Sequence, residues 1–363
     1  MTQSAVKLST IPHLHNSGKV IHIFIAGIGA VGGTLIRQIN RLRHPYIRTE
    51  LTGYCNSSTV RWMENGRSVS TDDLLAHGKE KKWQEILIRL KKSGNTPLVF
   101  VDATGSNEVA GLYRELLESG IHVVTPSKLA NSASQTRFHE LIHTARENKV
   151  QYLYETTVGA GLPVIKTLHE LLATGDEVLE ISGVLSGTMT YLFHQLEQGE
   201  SFSSSVLRAR SLGYAEPDPR DDLSGEDVAR KFLILARTCG LEIERESFES
   251  ESLIPVALKK TDSVTFLEKL PESDEEWKRR IEKELERNHT LRYTGQLKDG
   301  KIRIGVESVP KASPIGSLTG TNNLIQIKSR RYFDQPLIIQ GPGAGKEVTA
   351  AGILGDILSL TFD

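Results

Sequence analysis

The chain has 363 residues, 38% of them hydrophobic and 25% charged, with a formal net charge of -1. That length suits about two or three domains with a large core, and the balanced charge gives no sign of nucleic acid or a membrane surface as partner. The two cysteines, Cys55 and Cys239, exclude a disulfide framework and fit a reducing, cytoplasmic setting, and no apolar run reaches membrane-spanning length.

Residues 1–19 read as a short polar extension without acidic residues. The apolar run Val20–Ala26 ends in glycines and predicts a buried strand, followed by a helix over 31–42. Strands are expected at 50–55, 98–102 and 121–124, and helices at 107–120 and 132–148. Strands alternating with helices in this way argue for a parallel sheet. Beyond Glu155 the order is less regular. Helices are expected at 161–174, 188–198, 204–212 and 270–288, with strands at 177–185, 290–296, 301–306, 324–329 and 336–340 and a closing helix at 349–360. Asp299-Gly300 has the composition of a hairpin turn.

Gly27-Ile-Gly29-Ala30-Val31-Gly32 lies between an expected strand and an expected helix, the context a dinucleotide fingerprint requires. Glycines allow backbone to approach a pyrophosphate, and the helix start supplies N–H groups and partial positive charge. Thr104 follows the 98–102 strand and belongs at the same carboxyl edge of the sheet. The second strand ends Tyr54-Cys55-Asn56-Ser57-Ser58, with no acid to bind a ribose 2′-hydroxyl. With Arg37, Arg41, Arg43, Arg48 and Arg61 nearby in sequence, this favours NADP, or use of both NADP and NAD.

The segment from Glu216 to Lys231 packs a carboxylate loop against the start of an amphipathic helix. Ser224 is placed to cap that helix, Asp227 stands at the capping-box position, and Lys231 lies one turn later on the same face. Val228, Phe232, Leu235, Ala236 and Cys239 follow helical spacing, with Gly240 as the stop. Such a place can hold a small polar substrate and position an ammonium for chemistry. A second lysine, Lys128, follows the 121–124 strand.

Six separated segments together resemble homoserine dehydrogenase: Gly27–Gly32, Thr125–Lys128, Glu155–Pro163, Leu185–Thr188, Glu216–Lys231 and Gly341–Gly345. The resemblance implies an α/β protein with a Rossmann-type dinucleotide-binding domain over 20–154, rejoined by 338–363. A second α/β catalytic and dimerisation region would cover 155–337. It implies interconversion of L-aspartate 4-semialdehyde and L-homoserine, in the threonine and methionine branch of aspartate-derived biosynthesis, by a homodimer. Lys231 would be the principal acid/base, Lys128 its partner near both cofactor and substrate, and Asp227 the group that orients Lys231. Glu216 would grip the substrate ammonium, with Thr188 and Asp222 also at the substrate, and Gly345 would lie near the cofactor. Glu155 and the carbonyls of Val158, Ala160 and Leu162 would hold a monovalent cation such as sodium. Two rivals stand beside this reading. An aspartate-semialdehyde dehydrogenase-like enzyme would need an activated cysteine, and a non-catalytic dinucleotide sensor would not need Lys128, Asp227 and Lys231. No kinase domain is read ahead of Val20 and no room for a regulatory domain after Gly345 beyond the closing helix, which puts feedback inhibition by an amino acid in doubt.

Overall fold

The computed structural model describes residues 19–63 and 77–360, so most of the expected N-terminal extension lies outside the described residues. The chain divides into two compact units. The first comprises the described residues of Met1–Thr125, Leu141–Leu153 and Ile353–Asp363, and the second Pro126–Glu140 and Tyr154–Gly352. Residues 126–140 and 338–352 therefore sort with the second unit, where the sequence had placed them with the first.

The first unit contains a sheet of seven described strands: β1 (Lys19–Ala26), β2 (Ile47–Cys55), β3 (Thr59–Trp62), β4 (Lys79–Glu80), β5 (Leu98–Asp102), β6 (His122–Val124) and β7 (Tyr152–Leu153). Their order is β4-β3-β2-β1-β5-β6-β7, with β1, β2, β5, β6 and β7 parallel and β3 and β4 antiparallel. Ile23, Phe24, Ile25 and Ala26 of β1 are wholly buried, as a central parallel strand demands. Because β1 pairs with β2 on one side and β5 on the other, the chain reverses its direction of travel across the sheet at β1. The crevice beyond such a switch point is where open α/β sheets bind ligands. This is a Rossmann-type domain. The expected helix over 107–120 is broken into Asn107–Gly111 and Tyr113–Glu118. The short strands β3 and β4 and the helix Trp83–Lys92 carried no signal strong enough to be read in advance.

The second unit is built on an antiparallel sheet of five described strands: β8 (Val178–Val184), β9 (His289–Lys298), β10 (Lys301–Pro310), β11 (Asn322–Ser329) and β12 (Leu337–Pro342), in the order β10-β9-β8-β11-β12. Asp299 and Gly300 turn the β9–β10 hairpin with φ of 50° and 70°, the pair of positive values a tight hairpin prefers. The helix Glu226–Thr238 packs on β9. Its Phe232 ring fills the space beside Gly295, and its Val228, Leu233, Ile234 and Leu235 are buried. Each such side chain contributes about 1.5–3 kcal/mol. That apolar face fixes the helix and lets its first turns carry charge.

The capping box expected at Ser224 and Asp227 does not form. The helix starts from Gly225 at φ +75°, with no side-chain cap. Ser224 Oγ donates to the Asp221 carbonyl and accepts from Glu226 N at 3.2 Å, while Asp227 turns away toward two lysines. The physical reason is space: a Cβ on residue 225 would stand 1.9 Å from the Tyr293 hydroxyl. Gly225→Ala is therefore expected to destabilise the protein by about 2–5 kcal/mol, summing the left-handed backbone cost and overpacking. Urea denaturation checks this, and a shift in midpoint corresponding to less than about 1 kcal/mol would contradict it.

Candidate active site

In the first unit, the loop after β1 leads into the helix Ala30–Arg41, whose N-cap is Gly29. That helix start has no side-chain cap and no acid in its first turn. A Cβ on residue 32 would lie 1.9 Å from the Gly27 carbonyl oxygen, so only glycine lets the helix leave the loop this tightly. A Cβ on residue 29 would meet nothing within 4 Å. Close-packed glycine behind and open space in front fit a pyrophosphate at Gly27, Gly29, Ala30, Val31 and Gly32.

Thr104 stands just beyond β5, and its N–H and hydroxyl both reach Asp102 Oδ1, at 2.7 and 2.6 Å. Asp102 is wholly buried and takes a further bond from the Tyr113 hydroxyl at 2.5 Å. Burial raises the Asp102 carboxyl above its ordinary range, against the opposing pull of these donors. Asp102 thus fixes the loop that carries Thr104, a role its place in an apolar strand concealed.

The arginines that favoured NADP in the sequence are mostly misplaced for that task. Arg41 ends a twelve-residue helix that starts at the glycine loop, about 16 Å away along the axis. Arg43 donates to the carbonyls of Asn40 and Leu42. Arg48, near the wrong end of β2, pairs with Glu50 at 2.8 Å, and Arg37 donates to Thr34 Oγ1 at 2.6 Å. Arg61 is nearer the ribose edge, opposite Tyr54, and donates to the His77 carbonyl at 3.2 Å. Proximity in sequence did not carry direction.

The second unit carries an open cavity of about 980 Å³. Lys128, Thr188, Glu216, Asp222, Asp227, Lys231 and Gly345 all line it. Lys231 is 9% exposed; its Nζ meets Asp227 Oδ2 at 2.6 Å and donates to the Leu185 carbonyl, just past β8, at 2.7 Å. Lys128 Nζ approaches the other oxygen, Asp227 Oδ1, at 3.2 Å. One carboxylate is shared by two ammoniums. Burial would raise the Asp227 pKa, but the charges of Lys231 and Lys128 overcome it and hold the carboxyl well below the usual range. Burial, joined by the like charges of Lys231 and Arg230, pulls Lys128 below the ordinary lysine value against the attraction of Asp227.

The same cavity also holds a carboxylate shell. Asp222 Oδ2 accepts from Glu216 N at 2.8 Å, and Asp222 Oδ1 lies 2.9 Å from the Thr188 hydroxyl, which also reaches the Tyr214 carbonyl at 2.6 Å. Burial, with Asp227 and Asp221 adding repulsion, raises the Asp222 pKa. Asp222 therefore organises the loop, while the Glu216 side chain stays exposed to the cavity. Thr188 sits in the first turn of the helix Gly187–Glu197, capped by Ser186. The cavity carries both signs of charge and suits a zwitterion.

One supporting residue escaped the sequence, and another has a second role. Arg237, two turns beyond Lys231 and 3% exposed, donates to the carbonyls of Asn131 and Ala133 at 2.8 and 2.6 Å. It ties the loop after Lys128 to the helix of Lys231. Glu155, expected as a cation ligand, caps the helix Ile165–Ala173: Oε1 accepts from the N–H groups of Val164 and Ile165 at 2.6 and 2.8 Å, and Oε2 from Lys166 at 2.8 Å. Val158 and Ala160 are buried beside it, and the Leu162 carbonyl already accepts from Val164 N at 2.9 Å. Among the described residues no group of three or more His, Cys, Asp and Glu could hold a metal ion. Both cysteines are unsuited to nucleophilic chemistry, since burial pushes the thiols of Cys55 and Cys239 up to about 12.

A glycine loop suited to a dinucleotide and a zwitterionic cavity with paired lysines are the two sites on which the chain can be compared with known proteins. Two family models match: the homoserine dehydrogenase NAD binding domain over residues 27–155 and homoserine dehydrogenase over 163–358. The chain belongs to the homoserine dehydrogenase family. It is 36% identical to the homoserine dehydrogenase of Saccharomyces cerevisiae, over 95% of this chain and 99% of that one. It is 40% identical to the bifunctional aspartokinase/homoserine dehydrogenase of Haemophilus influenzae, over 98% of this chain but only 44% of that protein's length. A hyperthermophilic archaeal homoserine dehydrogenase solved with NADPH shares the fold, with a TM-score of 0.72 at 24% identity over 95% of this chain and 98% of that one. Among the described residues no helix is long and apolar enough to cross a membrane.

The shared carboxylate has a pH signature. The Asp227 pKa is lower in the folded than in the unfolded chain, where it is about 3.9. Its contribution to stability is thus present above that value and lost as pH falls through the folded one. Asp227→Asn, which also leaves two ammoniums unpaired, should be less stable than the parent at neutral pH, and the gap should close toward pH 2. Denaturant midpoints between about pH 2 and 7 test this; a gap independent of pH would contradict it.

Proposed function

We propose that this chain catalyses the NAD(P)-dependent interconversion of L-aspartate 4-semialdehyde and L-homoserine. The observation that carries the reading is the Asp227 carboxylate held between Lys128 and Lys231 on the wall of a zwitterionic cavity. The dinucleotide, when bound, exchanges a hydride with the terminal carbon of the substrate. The chain must then manage the proton. Reduction of the aldehyde leaves an alkoxide, and Lys231 is the donor: two of its three N–H bonds go to Asp227 and Leu185, leaving one for the substrate oxygen. Asp227 keeps that ammonium aimed. Lys128, closer to the neutral form because of its burial, lends a second positive centre beside the developing charge. Glu216 takes the α-ammonium. The start of the Gly187–Glu197 helix, at Thr188, takes the α-carboxylate, and Asp222 holds Glu216 and Thr188 in register.

NADP(H) is used at least as well as NAD(H) in this reading, because no acid follows Cys55 at the end of β2 and an archaeal family member binds NADPH. The protein acts as a homodimer in a reducing cytoplasm. The edge strand β12 exposes Ile338 and offers pairing to a second copy. A sodium ion joins Glu155 to the carbonyls of Val158, Ala160 and Leu162; replacing sodium by choline is then expected to lower Tm, and an unchanged Tm removes the cation from the account.

Lys231→Ala is expected to lower turnover by about 10²–10⁴-fold, or roughly 3–5 kcal/mol, with NADPH binding close to that of the parent. Lys231→Arg should not rescue, since arginine does not release a proton near neutral pH. The assay is oxidation of NADPH and NADH with aspartate semialdehyde. A folded Lys231→Ala variant with near-parent kcat would remove Lys231 from the chemistry, and an inactive parent protein would remove the proposed reaction.

A further inference from the structure

If the arginines of the first unit point elsewhere, the end of β2 still lacks an acid and needs a group to meet a ribose phosphate. The antiparallel strands β3 and β4 bring one there. β4 pairs with β3 through Thr59 with Glu80 and Val60 with Lys79, and the next residue, Lys81, donates its backbone N–H to the Ser58 carbonyl at 2.7 Å. Lys81 is thereby fixed beside the turn that follows β2. In that turn, Asn56 Oδ1 accepts from Ser58 N and Thr59 N at 2.9 and 2.7 Å, leaving Ser57 and Ser58 exposed.

The Lys81 side chain is 13% exposed and poorly compensated. Its Nζ lies 4.0 Å from Glu108 Oε2, at the limit of an ion pair, and 4.7 Å from the centre of the Trp83 ring. Among the described residues its ammonium makes no hydrogen bond, although it has three donors. Its charge is felt at the Cys55 thiol, the last residue of β2, where it opposes the effect of burial. Glu108 belongs to the short helix after β5. The ammonium therefore stands between the loops that follow β2 and β5, where the adenosine half of a dinucleotide lies in this fold. A partly buried cation with unused donors calls for an anion, and the 2′-phosphate of NADP is the anion that differs between the two cofactors.

We infer that Lys81 is the specificity-determining residue that binds the 2′-phosphate of NADP(H), with the Ser57–Ser58 turn as its floor. This rests on the reading that the first unit binds NAD(P)(H), and the test separates the two. NADPH and NADH are titrated by dinucleotide fluorescence against the parent protein, Lys81→Met and Glu108→Gln, with 2′,5′-ADP and 5′-AMP as competitors. Lys81→Met keeps most of the buried stem and should raise the Kd for NADPH by about 10–100-fold while changing that for NADH by less than about threefold. Glu108→Gln, an exposed change that removes the competing carboxylate, should tighten NADPH and 2′,5′-ADP by about twofold to fivefold and leave NADH and 5′-AMP alone. Parent protein that binds neither dinucleotide overturns the cofactor reading itself. Parent protein that binds both, with the NADPH to NADH ratio unmoved by Glu108→Gln and by a folded Lys81→Met, overturns the role of Lys81 alone.

Discussion

One carboxylate between two ammoniums sets the terms for the second unit. Removing a charge from water costs several kcal/mol, and that cost is met only where an opposite charge and further hydrogen bonds stand close. Asp227 gives one oxygen to Lys231 and one to Lys128, and Lys231 adds the Leu185 carbonyl. The three charged groups sum to one net positive charge on the cavity wall, which would suit the negative charge that develops on the oxygen of the proposed aldehyde substrate. Everything nearby serves to hold that arrangement. The buried stripe of Glu226–Thr238 holds the helix on β9, Gly225 lets it start against Tyr293, and Arg237 binds the loop of Lys128 to it.

The same cavity also carries negative charge. Asp222 is spent on order, fixing the Glu216 backbone and the Thr188 hydroxyl, while the exposed carboxylates of Glu216 and Asp221 face the cavity. This divides the acidic segment into a member that orders the loop and members that face the cavity. The same economy holds in the first unit, where buried Asp102 secures the Thr104 loop and leaves the glycine loop uncluttered.

Much of this was legible in the sequence because it is local. The glycine loop between strand and helix, and the spacing of Asp227 and Lys231 by four residues, are short-range patterns with a direct structural meaning. What was hidden depends on contacts between distant segments. Nothing in the sequence pairs Lys128 with Asp227 or Arg237 with Asn131, since those contacts join separate elements. Ser224 looked like a helix cap because composition cannot reveal the Tyr293 hydroxyl that makes Gly225 the starting residue. Glu155 looked like a ligand, yet it also closes the start of a helix nine residues on. The arginines misled because a helix and a strand carried them away from the ligand edge, while Lys81 was brought to that edge by a two-residue strand too short to predict.

The whole site turns on Asp227 coupling the two lysines electrostatically. Site-resolved NMR titration of the lysine Nζ groups, in the parent and in Asp227→Asn, measures that coupling. Lys128 should titrate below the ordinary lysine value in the parent and fall further when Asp227 becomes neutral, because its one attractive partner is lost while burial and the Lys231 charge remain. A Lys128 that titrates like a solvated lysine, unmoved by Asp227→Asn, would contradict it.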